Sequence, residues 1–194
     1  MEELLSEIYN FLMNILTNGA FYGPLLACFL IFIESIIPAL PLFVFITILF
    51  ISYGYFWGFL LSYILTCLGC IFSFLLCRKF FSNSIDILCK KHKNLEYITK
   101  RIENINLKHL VILVAMPFTP AFLINLAGGL SKMNFKKYLV SILIGKISLV
   151  TFWGFIGTSL VESLKNPRIM LVIILMLLIS YIISKLVANI IKFE

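Results

Sequence analysis

Glu34-Ser35-Ile36-Ile37-Pro38-Ala39-Leu40-Pro41 interrupts the apolar stretch 20–51. As a single helix, that stretch would run about 48 Å at 1.5 Å per residue. A hydrocarbon core of about 30 Å makes this too long for one crossing and too short for two ordinary ones. The prolines remove backbone donors and free carbonyls that protein or water must satisfy, so the stretch is expected to break there and return as a re-entrant hairpin. Residues 110–130 repeat the pattern, with Pro117-Phe118-Thr119-Pro120 followed by Asn125, Gly128 and Gly129.

Composition supports reading these stretches against lipid. The 194 residues are 61% hydrophobic and 13% charged, with a mean hydropathy of +1.06, whereas about a quarter of a soluble domain is charged. Such a chain cannot cover a water-facing surface, so lipid and other membrane helices must be its neighbours. The net charge of +7 does not mark a nucleic-acid partner, because the basic residues lie between apolar runs; membrane topology accounts for them. Residues 1–19 alternate apolar and polar positions at helical spacing and predict an interfacial amphipathic helix. Glu2, Glu3 and Glu7, with no Lys or Arg in the first 77 residues, argue against a cleavable signal peptide. The five cysteines form no secreted disulfide framework. Cys67-Leu68-Gly69-Cys70 has the spacing of a redox pair but lies mid-helix in lipid, where small apolar packing residues are the better reading.

The charges set the topology. Residues 53–77 form a full transmembrane helix with Gly54, Gly58 and Gly69 as small packing faces, closed by Arg78 and Lys79. The amphipathic loop 78–108 holds eight of the sixteen basic residues and is expected to be cytoplasmic. If 110–130 crossed, Lys132, Lys136 and Lys137 would lie opposite that loop; as a re-entrant hairpin it leaves both basic clusters inside. Residues 138–161 then cross outward, and a C-terminal transmembrane helix within 163–194 returns. The first hairpin thus enters from outside and the second from inside. Interrupted segments in oppositely oriented halves point to an inverted-repeat transporter with its site near the midplane. The expected fold is an all-α polytopic membrane protein with a core domain over 20–162.

Glu34 through Pro41, the glycines at 54, 58 and 69, Phe74 and Arg78 resemble the first half of the DedA-like superfamily, also called the VTT-domain or SNARE-associated Golgi protein family. Pro117, Pro120, Asn125, Gly128, Gly129, Met133 and Gly145 resemble its second half, and the spacing is more similar to the TVP-type branch than to DedA itself. The resemblance covers about residues 20–160. It implies two facing re-entrant hairpins and the movement of a phospholipid or polyprenyl phosphate between leaflets, in some members coupled to protons. Two features depart from the pattern: Val114, Ala115 and Met116 stand where an Arg usually precedes the second proline pair, and no second acid occurs near Ile51.

Away from helix ends, Glu34 and Lys146 are the charges set well inside apolar segments, and an intramembrane charge is a functional candidate by default. Glu34 suits a group that takes up and releases a proton or holds a head group; capping freed amides beside Pro38 is the structural alternative. Lys146, about 12 Å into its span, is expected to supply the charge of the missing Arg, either by pairing with Glu34 or by meeting a lipid phosphate; a static ion pair fixing the two halves is the alternative. Pro38, Pro41, Pro117 and Pro120 shape the hairpins. Asn125, Gly128 and Gly129 offer amide hydrogen bonds and close backbone approach, and Arg78 is a candidate phosphate contact or a simple anchor.

Translocase or scramblase activity at the meeting point of the hairpins is the leading expectation, in the inner (plasma) membrane, with no cofactor and no enzymatic step. A non-transporting scaffold and a carrier of small anionic solutes are the rivals, and a second copy of the chain is a further candidate partner.

Overall fold

The computed structural model describes residues 22–37, 40–91, 102–119, 121–131, 133–163 and 167–193. The expected amphipathic helix at 1–19, Pro38, Pro120 and Lys132 lie outside these residues. The described residues form α1 (Tyr22–Glu34), α2 (Leu42–Lys91), α3 (Leu107–Ala115), α4 (Ala121–Leu130), α5 (Phe135–Ser163) and α6 (Pro167–Phe193), with no strand among them. Leu42–Phe80, Phe135–Ser163 and Ile169–Leu186 are long and apolar enough to cross a membrane.

The first of these is not one straight rod. Gly54 has φ 75° and ψ 175°, a conformation that only glycine adopts without strain. A Cβ at Gly58 would lie 2.6 Å from Phe50 Cα, although eight residues of straight helix would separate them by about 12 Å. The limb before Gly54 therefore folds back along the limb after it. Gly54 itself has open space around it, so its role is a backbone corner and not the packing face that its sequence context suggested. Past the corner the helix runs on to Lys91, so the start of the expected loop 78–108 continues the apolar limb as helix.

The corner at Gly54, the segment between α4 and α5, and the two proline-containing breaks leave four short arms. α1 and the limb before Gly54 are about 20 and 18 Å long, and α3 and α4 about 14 and 15 Å; none matches a hydrocarbon core of about 30 Å. The long limb of α2 and α5 are both long enough.

Each hairpin is seated by glycines. A Cβ at Gly69 would lie 2.7 Å from the Phe32 carbonyl and from Ser35 Oγ, so the end of α1 rests directly on α2. The other arm of this hairpin rests on α5, where Gly154 and Gly157 make room for Phe50 and Thr47. In the second hairpin, Gly145 of α5 receives Val114 of α3, and Gly129 of α4 sits against the Phe74 carbonyl and Cys77.

The long limbs run antiparallel. Tyr55 Oη donates to Thr158 Oγ1 at 3.4 Å at one end, and Arg78 Nη2 donates to the Met133 carbonyl at 2.6 Å at the other. The first hairpin joins its limb at the Gly54 end, and the second joins α5 at the Arg78 end. Their breaks point toward each other across the middle of the molecule. Two apolar clusters result: Ala27, Ile31, Ile46 and Leu49 pack with Leu149 and Val150, while Phe74, Leu110, Val114, Tyr138 and Ile142 pack around the second hairpin. α6 lies against α5 with most of its described apolar side chains exposed.

Candidate functional site

A crevice of about 190 Å³ opens between the two breaks. Glu34, Leu42 and Phe43 line it from the first hairpin, Pro117, Thr119 and Ala121 from the second, and Lys146 and Trp153 from α5. The geometry follows from local sequence. α1 ends at Glu34, where Ile36 and Ile37 fold their amides back onto the Ile33 carbonyl at 2.8 and 2.9 Å. Pro41 immediately precedes α2, its carbonyl accepting from Val44 N at 3.0 Å. Thr119 N closes a turn on the Met116 carbonyl at 3.3 Å, and α4 begins at Ala121. Two helix N-termini, with amides lacking intrahelical acceptors, therefore border the crevice.

Lys146 is 1% exposed and Glu34 8% exposed, yet neither Lys146 Nζ nor Glu34 Oε2 has a hydrogen-bond partner. These atoms form no hydrogen-bonded ion pair of the kind considered from sequence, although Lys146 acts electrostatically on the Glu34 carboxyl group. Gly145 turns toward Val114, which leaves the adjacent Lys146 to face the crevice. Burying an unpaired charge is costly unless water or a ligand satisfies it. A second cavity, of about 10 Å³, is lined by Thr119, Asn125, Ile142 and Lys146; it has room for about one water beside the ammonium.

One side of the crevice is aromatic. Phe43 and Phe118 lie 5.7 and 6.1 Å from Trp153, centroid to centroid, and Phe118 meets Tyr181 of α6 edge-on at 5.9 Å. Phe43, Phe118 and Tyr181 are exposed, so this apolar strip runs from the crevice onto the outward flank of α6.

The remaining candidates have other work. Asn125, fully buried, donates from Nδ2 to the Ser35 carbonyl at 3.2 Å, and its Oδ1 accepts from Tyr138 Oη at 2.6 Å. Tyr138 Oη also lies 3.0 Å from the Cys70 carbonyl. Asn125 is thus a strut between the second hairpin and the break of the first. Arg78 directs Nη2 at the carbonyls of Gly128, Ser131 and Met133 and stacks 4.4 Å over the Phe74 ring, closing the C-terminal end of α4. Gly128 and Gly129 are filled by Phe74, Tyr138 and Cys77 and offer no open backbone. Cys67 and Cys70 are free thiols, with Cys70 Sγ 3.6 Å from Ser35 Oγ. Tyr138 and Trp153 carry no local mark as site residues in the sequence; a polar tip in an otherwise apolar helix is the signal available for Tyr138.

The VTT domain matches residues 37–159, more than half of the chain. The chain belongs to the VTT-domain, or DedA, family. The match runs from residue 37, within the first break, to residue 159, near the end of α5, with α1, Glu34 included, and α6 outside it. This VTT-domain protein is similar to the uncharacterized membrane protein YhjE of Bacillus subtilis (strain 168), with 27% identity over 164 residues, 84% of this chain and 79% of that protein. No solved structure matches it. Family and apolar helices together make it a membrane protein.

Proposed function

We propose that this VTT-domain protein moves a lipid phosphate, either a phospholipid or a polyprenyl phosphate, between leaflets through the crevice where the two hairpins meet. The observation that carries the reading is the pair of buried, unbonded groups, Lys146 Nζ and Glu34 Oε2, lining a crevice bordered by an exposed aromatic strip. A polar head group would travel in the crevice while its chains follow the strip in the bilayer. The short arms support re-entrant hairpins, since none is long enough to cross. Exposed Tyr53, Tyr55, Phe56 and Trp57 around Gly54 suit one membrane interface, and Arg78 and Lys79 suit the cytoplasmic one.

In this reading the protein lies in the plasma (inner) membrane with 78–108 cytoplasmic. It makes and breaks no covalent bond and uses no cofactor, and Glu34 is the group through which protons would couple. Leaflet exchange of labelled lipids in reconstituted vesicles tests it. The intact protein is expected to accelerate exchange, and Lys146→Met to slow it about tenfold, the order of one lost charge-assisted hydrogen bond. Absence of any protein-dependent exchange would favour a scaffold, and uptake of small anions without lipid exchange would favour a solute carrier.

A further inference from the structure

Resting on the translocation reading for its purpose but not for its geometry, we propose that α6 is a lateral lid over the lipid-facing mouth of the crevice, latched by the contact of Tyr181 with Phe118. Four elements each send one aromatic ring to that mouth: Phe43 from the first hairpin, Trp153 from α5, Phe118 from the turn between α3 and α4, and Tyr181 from α6. Phe43, Phe118 and Trp153 line the crevice. Tyr181 meets Phe118 from the flank, with the two ring planes at 85°.

The rest of α6 is lightly held. Of the most apolar eighteen residues in each span, 39% are buried in α2 and 44% in α5 but only 11% in α6. The buried ones in α6 are Ile173 and Ser184, with Leu177 and Ser180 half-buried between them. Steps of four, three and four residues put these on one narrow face, and α6 packs on α5. Hydrocarbon solvates the other faces of a membrane helix as well as protein does, so swinging α6 about a single seam sacrifices little. Its catch can also release. Phe118 sits on a turn closed by Thr119 N on the Met116 carbonyl at 3.3 Å, and not within a helix. Both rings of the contact are exposed, so they can part without opening a packed core. Closed, the lid keeps bilayer chains away from a crevice lined by buried Lys146 and Glu34. Open, it admits a chain-bearing molecule from the side, beside Trp153.

Trp153 reports on the mouth directly. It is one of two tryptophans, and the other, Trp57, is exposed and paired with Phe56 near the Gly54 corner, so Trp57→Phe in the full chain leaves a single probe. In vesicles of lipids brominated on an acyl chain, Trp153 emission should be weakly quenched in that protein and equally weakly after Tyr181→Phe, which keeps the ring. Tyr181→Leu keeps the bulk of an exposed side chain but loses the aromatic partner. Its open-to-closed ratio should rise about fivefold, the order of one edge-to-face ring contact, and both Trp153 quenching and leaflet exchange of labelled lipid should rise with it. Quenching in Tyr181→Leu equal to that in Tyr181→Phe would make α6 a fixed wall and overturn the lid. Absence of leaflet exchange in every version of the protein would overturn translocation, while stronger quenching in Tyr181→Leu alone would still establish the lid.

Discussion

The two hairpins are alike in outline and opposite in how they are fastened. Each has two short helical arms, a proline-containing break and a sharp corner leading into a long helix. The first is held largely by close contact: Gly58, Gly69, Gly154 and Gly157 let its backbone and Thr47 and Phe50 sit against α2 and α5. The second is also pinned by polar bonds, Arg78 to three carbonyls at its corner and Asn125 with Tyr138 along its inner arm. Charge divides the same way. The first hairpin brings its own acid, Glu34, while the base facing it comes from α5 and not from the second break. A repeat of architecture therefore does not require a repeat of residues. The electrical asymmetry of the crevice arises because only one break carries a charge.

The strongest way to break this comparison is to fill the seats. Gly69→Leu and Gly129→Leu each drive a side chain into backbone carbonyls and neighbouring side chains at 2.6–2.7 Å, and each should cost about 3 kcal/mol or more in thermal unfolding in detergent. A tolerant Gly129 would mean that the second hairpin is not seated on α2. Asn125→Leu should cost about 2 kcal/mol, because it strands the Ser35 carbonyl in a buried site and leaves the Tyr138 hydroxyl only the Cys70 carbonyl. Ser35→Ala removes only a 3.6 Å contact to Cys70 and should change stability far less; equal losses would deny the strut role of Asn125. At the first corner, Gly54→Ala has space for its methyl but not the backbone freedom, and a loss of about 1–2 kcal/mol is expected. The smallest effect has the opposite sign. Lys146→Met removes a buried, unbonded charge and should raise stability by about 1 kcal/mol while lowering transport. A clear loss of stability would mean that the ammonium is paired after all.

Much of this architecture is legible in the apolar runs. Their lengths are set against the bilayer, and proline leaves its mark wherever it stands, so the breaks near Pro41 and Pro117 and the long helix 135–163 can be read locally. Glu34 and Lys146 stand out because a charge within lipid is conspicuous at any packing. Gly54 misled because a glycine in an apolar helix looks the same as a packing face or as a corner, and only its φ distinguishes them. Arg78 and Asn125 drew attention as potential ligand contacts, yet their partners are main-chain carbonyls, with a tyrosine hydroxyl at Asn125. The carbonyl partners are 50 to 90 residues away in sequence and the tyrosine 13, and no local pattern encodes them. Trp153 joins the crevice through the crossing of α5 with both hairpins, which is likewise a tertiary fact.

The proposed meeting of the two breaks inside the bilayer demands that the second hairpin leave on the side it entered. Lys108 and Asn134 are exposed at its two ends, and Lys137 Nζ donates to the Glu103 carbonyl at 3.2 Å across the same base. Single cysteines at 108 and 134 in intact cells, probed with a membrane-impermeant thiol reagent, should react from the same side of the membrane. Labelling from opposite sides would turn α3 and α4 into one crossing and contradict the facing-hairpin account.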